Sequence, residues 1–149
     1  MNPRASSTQP KLLTKTGSLT QHLRAMAQDM CRVQCLEVEK DAHRWIKRTV
    51  IWVDEAPVIY AESDIPLIAM QGEGAALQQL ETTALGDIFW TDPNLQRSPL
   101  DIFPLNAEDT LAQRAYEVTG KMPCWARRSV FTFFCHEISV TEVLLSSRT

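Results

Sequence analysis

The sequence predicts an α+β domain built on a largely antiparallel β-sheet. Two segments have the residue pattern of β-hairpins, residues 44–61 and 126–145. They flank a middle part whose patterns are mostly helical. Strands joined by short turns pair antiparallel, and strand-rich blocks separated from helices are typical of α+β folds. A chain of 149 residues suits a single domain and can bury a core without crosslinks.

The N-terminal part divides into an arm and a helix. Residues 1–14 are rich in Ser, Thr, Pro and basic residues, so we expect a flexible arm there and one domain over residues 15–149. Ser18 or Thr20 can cap a helix over residues 21–30, because their side-chain oxygens accept from the first backbone N–H groups. The apolar residues of its expected core-facing stripe are Leu23, Met26, Ala27 and Met30.

The first hairpin is the clearest strand signal. Residues 33–38 alternate without a cleanly apolar face, which is a weak strand pattern. Residues 44–53 are dense in β-branched and aromatic residues and predict a strand. Residues 54–57 form a turn, and residues 58–61 return antiparallel, with Pro66 limiting how far that strand can run.

The middle and the C-terminal part complete the predicted fold. A short helix is expected over residues 72–79, a second short helix or a turn against the core over residues 83–89, and a short strand over residues 101–103. A longer helix is expected over residues 106–118, because acidic residues lie in its first turn and Gly120 follows its end. Residues 126–134 and 138–145 form the last hairpin.

Composition narrows the class of partner. The net charge is −3 and the basic residues are scattered, which disfavours a nucleic-acid binder and favours a small-molecule partner. No stretch approaches the roughly 20 apolar residues that span a bilayer, and residues 1–14 lack the apolar middle of a secretory signal. We therefore expect a cytoplasmic protein without a membrane partner.

The four cysteines predict no metal centre. They are Cys31, Cys35, Cys124 and Cys135. Cys31 and Cys35 could offer two ligands if the first helix reached them, but the sequence has no second close pair. Reduced, buried thiols that act as small hydrophobes are favoured.

Two charged residues share faces with apolar neighbours on predicted strands. On the strand period of two, Glu142 lies on the same face as Val140 and Leu144. A carboxylate on an apolar face is costly unless it is paired. A solvent-facing Glu on an edge strand remains the alternative. Arg48 lies on the same face as Ile46, Val50 and Trp52, so it could point inward and contact a carboxylate of the protein or of a ligand. The alternative is that Lys47 and Arg48 form an exposed basic pair.

Other candidates are weaker. One residue of the Arg127-Arg128 pair could bind a substrate carboxylate bidentately, although solvent exposure at a strand end is the more common arrangement. The three histidines, at positions 22, 43 and 136, have no spacing that indicates a metal site or a catalytic triad. No nucleophile elbow and no Gly-rich phosphate loop is present.

Taken in order, several segments resemble the chorismate lyase (chorismate pyruvate-lyase) family. The resemblance covers residues 12–145, and its last pair of segments is the most specific. These segments are Gly17–Thr20, Trp45–Val50, Tyr60–Pro66, Thr83–Phe89, Trp125–Ser129 and Thr141-Glu142.

The resemblance implies a fold, an activity and a site. Family members have an antiparallel sheet with helical flaps covering a buried ligand pocket, and use no metal or organic cofactor. They convert chorismate to 4-hydroxybenzoate and pyruvate in the cytosol, the first step of ubiquinone biosynthesis in bacteria. The family's catalytic and ligand-binding residues fall on Arg48 and Glu142, a pocket-lining leucine falls on Leu85, and a lid position falls on Leu19. We expect a monomer whose partners are a small-molecule substrate and an aromatic product.

The chain also departs from the family pattern. The segment between Thr20 and Arg48 is shorter than in relatives. Glu62 stands where relatives often carry a basic residue, so we expect a changed charge near the pocket mouth. The turn after the first long strand lacks the usual Gly. Without a deletion in that turn the family's Arg falls on Lys47, but Arg48 is preferred because only it keeps a guanidinium. A non-catalytic aromatic-acid-binding (effector-sensing) domain of the same fold is the alternative.

Overall fold

A seven-stranded antiparallel sheet organises the chain. The computed structural model describes residues 10–14, 22–23, 25–26, 30–80 and 85–145. The spatial order is β1-β2-β3-β7-β6-β4, and β5 also pairs with β6. The strands are β1 (Cys31–Lys40), β2 (Arg44–Val53), β3 (Ala56–Pro66), β4 (Gln96–Arg97), β5 (Asp101–Pro104), β6 (Trp125–Phe133) and β7 (His136–Leu144). The predicted α+β class is confirmed.

Short helical segments complete the described fold. Three 3₁₀ segments are Lys11–Thr14, Leu67–Met70 and Gly72–Gln79. Two α-helices follow, α1 (Leu85–Phe89) and α2 (Thr110–Thr119). No described helix is long and apolar enough to cross a membrane.

The first three strands form a meander. The bounds of β2 agree with the prediction, because its β-branched and aromatic residues are continuous. The weakly predicted first strand is confirmed as β1, which lies at one edge of the sheet and has a register shift between Cys35 and Glu37. Asp54 and Glu55 form the β2–β3 turn, both with positive φ, as a two-residue turn requires.

Side-chain alternation gives the sheet two different faces. We call the face that carries Thr49, Ala61 and Glu142 the front face, since these residues lie side by side on adjacent strands. Apolar clusters cover its two ends. One packs α1 and the last two 3₁₀ segments on Ile65, and the other packs Leu13 on Ile59.

Helix α2 covers part of the opposite, back face. It buries Ala112 and Ala115, small side chains that let the helix approach the sheet closely. Gly120 ends the helix in the left-handed conformation, and its N–H donates to the carbonyl of Tyr116 at 2.7 Å. The helix begins at Thr110, four residues later than predicted, because the Asp109 carboxylate accepts from the N–H of Asn106 at 2.8 Å and stabilises a turn there.

Three sequence expectations about the core need correction. Leu12 and Leu13 are buried against the sheet, so residues 10–14 belong to the folded domain rather than to the arm. Of the expected stripe on the first helix, Leu23 is buried but Met26 is 73% exposed, and Met30 is exposed as well. The remaining corrections concern cysteines: Cys35, Cys124 and Cys135 are exposed, and Cys31 and Cys35 lie on a strand.

Candidate functional site

Glu142 and Arg127 form an ion pair in the middle of the front face. They are direct partners on β7 and β6, and Arg127 Nε donates to Glu142 Oε1 at 2.7 Å. The Arg127 side chain is 1% exposed and that of Glu142 13%, and Arg127 Nη1 also donates to the carbonyl of Leu13. Because β7 is paired on both sides, Glu142 is not a solvent-facing residue of an edge strand.

Four further polar side chains lie on the same face of the sheet as this pair. Lys47 and Ser63 are buried partners on β2 and β3, and Ser129 on β6 lies two residues from Arg127 on the same face. Arg97 on β4 reaches the same area, since its Nε donates to Ser129 Oγ at 3.1 Å. We call these six residues the central polar patch: Lys47, Ser63, Arg97, Arg127, Ser129 and Glu142.

The patch occupies the space between the two apolar clusters of the front face. Ile65 and Phe133 lie beyond one side of it, and Ile59 and Leu144 beyond the other. Charged groups in such surroundings interact more strongly than they do in water, because the local dielectric constant is low. Charged and apolar side chains therefore lie next to one another on this face of the sheet.

The pKa of Lys47 is affected by this buried environment. The residue is only 7% exposed. Burial lowers the pKa of Lys47 below its ordinary value, and the neighbouring Cys35 partly offsets that effect. A bound carboxylate would stabilise the charged ammonium in this position.

Arg48 lies on the back face, so the predicted convergence of Arg48 and Glu142 is wrong. Arg48 pairs with Glu62 on β3, and Glu62 pairs with Thr141 on β7. Thr141 precedes Glu142, so its side chain points to the opposite face. Arg48 Nη1 contacts carboxylates of β1 instead, at 2.9 Å from Glu37 and 3.0 Å from Glu39. The physical reason is the alternation of side chains along β2, which turns Lys47 to the front when Arg48 points to the back.

Glu62 also lies on the back face, away from the patch. Arg114 of α2 donates to both of its carboxylate oxygens, at 2.6 and 2.8 Å, and the Tyr60 hydroxyl donates to Oε2 at 2.7 Å. Burial opposes ionisation, but these bonds and the nearby Arg48 hold the pKa of Glu62 below its ordinary value. The expected change of charge at a pocket mouth is thus replaced by an attachment between α2 and the sheet.

The remaining predicted residues fall in different places. Arg128 is exposed on the back face, where it lines a shallow groove of about 250 Å³ beside the ion pair of Arg44 and Asp64. Leu85 begins α1 and packs against the apolar cluster at one end of the front face. Leu19 lies outside the described residues.

Comparison with known proteins identifies the family. A family model described as chorismate lyase matches residues 4–149. The chain belongs to the chorismate lyase family. The central polar patch is a candidate site for this chorismate lyase family member.

Curated relatives agree with this assignment. The probable chorismate pyruvate-lyase of Nitrosospira multiformis is 32% identical over 114 residues, which cover 75% of this chain and 63% of that protein. The probable chorismate pyruvate-lyase of Nitrosomonas europaea is 28% identical over 153 residues, which cover 89% of this chain and 84% of that protein. The chain thus spans less than two thirds of the first relative. Because both are named as lyases, they do not favour the non-catalytic alternative.

One solved structure shares the fold of this chorismate lyase family member. A GntR-family transcriptional regulator from Bacillus cereus superposes with a TM-score of 0.53 and 8% identity, covering 81% of this chain and 95% of that chain. At such low identity the likeness shows the fold alone.

Sequence reasoning missed Arg97, Ser63 and Ser129 as members of the patch. Ser129 lies in the Trp125–Ser129 segment that resembles the chorismate lyase family, and its spacing of two from Arg127 was an available signal. Arg97 had no such signal, because β4 is only two residues long and shows no period. Its place depends on pairing with β6.

Proposed function

We propose that this protein converts chorismate to 4-hydroxybenzoate and pyruvate at the central polar patch. The observation that carries the proposal is the buried Glu142–Arg127 ion pair with Lys47 on the same face, between two apolar clusters. Membership of the chorismate lyase family supports it. The reaction would be the first step of ubiquinone biosynthesis, carried out in the cytosol by a monomer.

The reaction asks little of the protein beyond binding and electrostatics. The bond between the ring and the enolpyruvyl oxygen breaks, and the ring carbon that bears the hydroxyl loses its proton. The ring becomes aromatic, and the enolpyruvyl group gains a proton to give pyruvate. Because aromatisation makes the process strongly downhill, orientation and stabilisation of the developing charge are sufficient.

Lys47 is proposed to bind the ring carboxylate. It is the residue on which the family's Arg falls when the β2–β3 turn is aligned without a deletion. Its burial on the face of Glu142 supports this assignment, whereas Arg48 is committed to carboxylates on the back face. An ammonium offers a point charge rather than a planar fork, so the carboxylate is held by one charge-assisted contact at a time.

Glu142 is proposed to act on the part of the ring that bears the hydroxyl. It either accepts a hydrogen bond from that hydroxyl or takes the ring proton as a general base. Arg127 is a positioning residue in both cases, since its Nε–H fixes Oε1 while its own side chain is buried. The proton passes to the enolpyruvyl group directly or through Glu142.

The helical segments over the front face are proposed to gate the site. Leu85 at the start of α1 and the lid position Leu19 would line the pocket. A closed apolar pocket holds an aromatic product well, so product release would limit turnover.

Turnover of chorismate by the purified protein tests the proposal. We expect equal amounts of pyruvate and 4-hydroxybenzoate, and a fall of about 100-fold or more in kcat for Glu142→Gln. Glu137→Gln is the matched control, because Glu137 is an exposed carboxylate on the same strand but on the back face. Folded protein that forms neither product would overturn the proposal, and 4-hydroxybenzoate binding without turnover would favour the effector-sensing domain.

A further inference from the structure

The backbone carbonyl of Leu13 contacts the ion pair of the central polar patch. Leu13 lies near the end of the first 3₁₀ segment, where backbone carbonyls have no partner within the segment itself. Arg127 Nη1 donates to this carbonyl at 3.3 Å, and both residues are almost completely buried. A buried carbonyl without a hydrogen bond would be costly, so this contact stabilises the segment in its position. The N-terminal segment therefore reaches the same guanidinium that holds Glu142.

Apolar packing fixes the position of this carbonyl. Leu12 and Leu13 are buried in an apolar cluster that includes one residue from each of β2, β3 and β7, namely Ile51, Ile59 and Leu144. Within the segment, the N–H of Leu13 donates to the carbonyl of Pro10 at 3.1 Å. Because the interior of a protein is closely packed, the segment cannot shift without opening this cluster. The Leu13 carbonyl is thus a fixed acceptor on the front face.

Two fixed acceptors determine the orientation of the Arg127 guanidinium. Nε donates to Glu142 Oε1 at 2.7 Å, and Nη1 donates to the Leu13 carbonyl at 3.3 Å. The guanidinium is planar and rigid, so contacts at two of its nitrogens restrict rotation about the torsions that place it. Because Glu142 accepts from the same plane, displacement of the Leu13 carbonyl would change the direction in which the carboxylate is held.

We propose that Leu13 is a positioning residue of the candidate site, acting through its backbone carbonyl on Arg127 and through Arg127 on Glu142. The inference deepens the proposed function and rests on it for the effect on turnover. Misplacement of a reacting group by about 1 Å can lower a rate by roughly 100-fold. A segment outside the sheet, Lys11–Thr14, thereby determines how accurately the carboxylate is presented.

Weakening the Leu13 carbonyl alone tests this. Replacing Thr14 by its α-hydroxy acid turns the amide between residues 13 and 14 into an ester, whose carbonyl is a weaker acceptor, and leaves every side chain in place. We expect the Nε–H signal of Arg127 to shift in a proton–nitrogen correlation spectrum, where its loss in Arg127→Lys identifies it. Since Nε donates to Glu142 and Nη1 to Leu13, a shift shows that the guanidinium transmits the change.

Turnover of the ester variant should change in a characteristic way. We expect kcat for chorismate to fall about 10-fold while KM stays within about threefold, because positioning of Glu142 is altered rather than substrate binding. Leucic acid at position 13 is the matched control. It also removes a backbone N–H from the segment but leaves the Leu13 carbonyl an amide, so the Arg127 signal and kcat should stay close to wild type.

Side-chain variants test the same link through packing. Leu13→Ala opens the cluster that holds the segment and should lower kcat by about 10- to 100-fold. Leu13→Met keeps most of the volume and should restore kcat to within about threefold. Leu77→Ala is the control, because Leu77 is equally buried on another 3₁₀ segment, in the cluster at the other end of the front face. It should lose similar stability in urea but keep the Arg127 signal and kcat.

The outcomes separate a lost link from a lost fold. An Arg127 signal that stays in place in the ester variant overturns the inference, and this variant carries the test if Leu13→Ala does not fold. A fall in kcat of the same size in Leu77→Ala also overturns it. The signal does not depend on turnover. A protein that shows the shift but converts no chorismate would support the positioning of Glu142 by Leu13 and overturn the proposed function.

Discussion

Arg127 and Glu142 face each other across β6 and β7, and the bond between Nε and Oε1 is 2.7 Å long. The pair lies on the two strands that connect the first meander to β4, with one partner almost completely buried. A buried pair of this kind contributes little net stability compared with apolar residues of the same volume. Removing one partner is costly, because the other charge is left without compensation.

Breaking the pair from one side should destabilise the fold. We expect Arg127→Met to lower the free energy of unfolding by about 3–5 kcal/mol, measured by urea denaturation. Arg128→Met, on the exposed side of the same strand, should change it by at most about 0.5 kcal/mol. The double variant Arg127→Met with Glu142→Leu should recover most of the loss while remaining inactive. A single variant as stable as wild type would contradict this account of the pair.

Lys47 and Arg48 should differ in what their loss does. Lys47→Met is expected to lower kcat/KM for chorismate by about 100-fold, since a buried contact to the ring carboxylate disappears. Arg48→Met should keep kcat/KM within about threefold, because its partners are Glu37 and Glu39 on the back face. Lys47→Arg offers the family's guanidinium at the same place and should retain measurable activity. The reverse pattern, with Arg48 essential and Lys47 dispensable, would return the site to the guanidinium that the sequence favoured.

The Glu62 ion pair should make stability depend on pH. Its pKa is lowered in the folded protein from an ordinary value of 4.5, so its contribution is present above that pH and is lost as pH falls through the folded pKa. Glu62→Gln should therefore cost about 1–2 kcal/mol at pH 7, a modest figure because the Arg114 side chain is 36% exposed. The gap from wild type should shrink as pH falls below about 4.5.

Thermal unfolding between pH 3 and 7 measures this gap. Glu117→Gln, an exposed carboxylate on the same helix, is the control and should show no such trend. A constant gap between wild type and Glu62→Gln across this range would show that the carboxylate charge does not attach α2 to the sheet.

Gly74 and Gly86 should respond oppositely to alanine. A Cβ at Gly74 would lie 1.8 Å from the carbonyl oxygen of Ala69, so the backbone of the adjoining 3₁₀ segment must move. We expect Gly74→Ala to destabilise by at least ~2 kcal/mol. A Cβ at Gly86 meets nothing within 4 Å and lies in α1, so Gly86→Ala should be neutral or stabilise by up to about 1 kcal/mol. Urea denaturation of both variants makes the comparison, and equal effects would refute it.

Sequence periodicity predicted alternation within each strand but not how two strands are matched. As expected, Arg48 shares a face with Ile46 and Val50, and Glu142 shares a face with Leu144. Which faces coincide depends on the pairing of β3 with β7, which are far apart in the chain. Local patterns carry no information on that register. Which of Lys47 and Arg48 shares a face with Glu142 could therefore not be predicted from the sequence.

The strength of a local signal explains the other successes and failures. The long runs of β-forming residues in β2 and β6 predicted strands correctly. Leu12 and Leu13 were assigned to an arm because their neighbours are polar, yet they pack on the sheet. Burial against the rest of the domain determines the position of this segment, and the secondary-structure propensities of its own residues do not indicate that burial.

The bulged outer strand also governs how molecules of this protein meet one another. A long, flat, apolar rim invites another chain to add its own backbone, which is how edge-to-edge aggregation begins. In the described part of the chain β1 pairs with another strand on one side only, but it carries charged side chains such as Arg32 and Lys40 along its length. The irregularity after Cys35 also interrupts the even spacing of its outward amides. That rim is a poor template, so concentrated solutions should resist fibre growth.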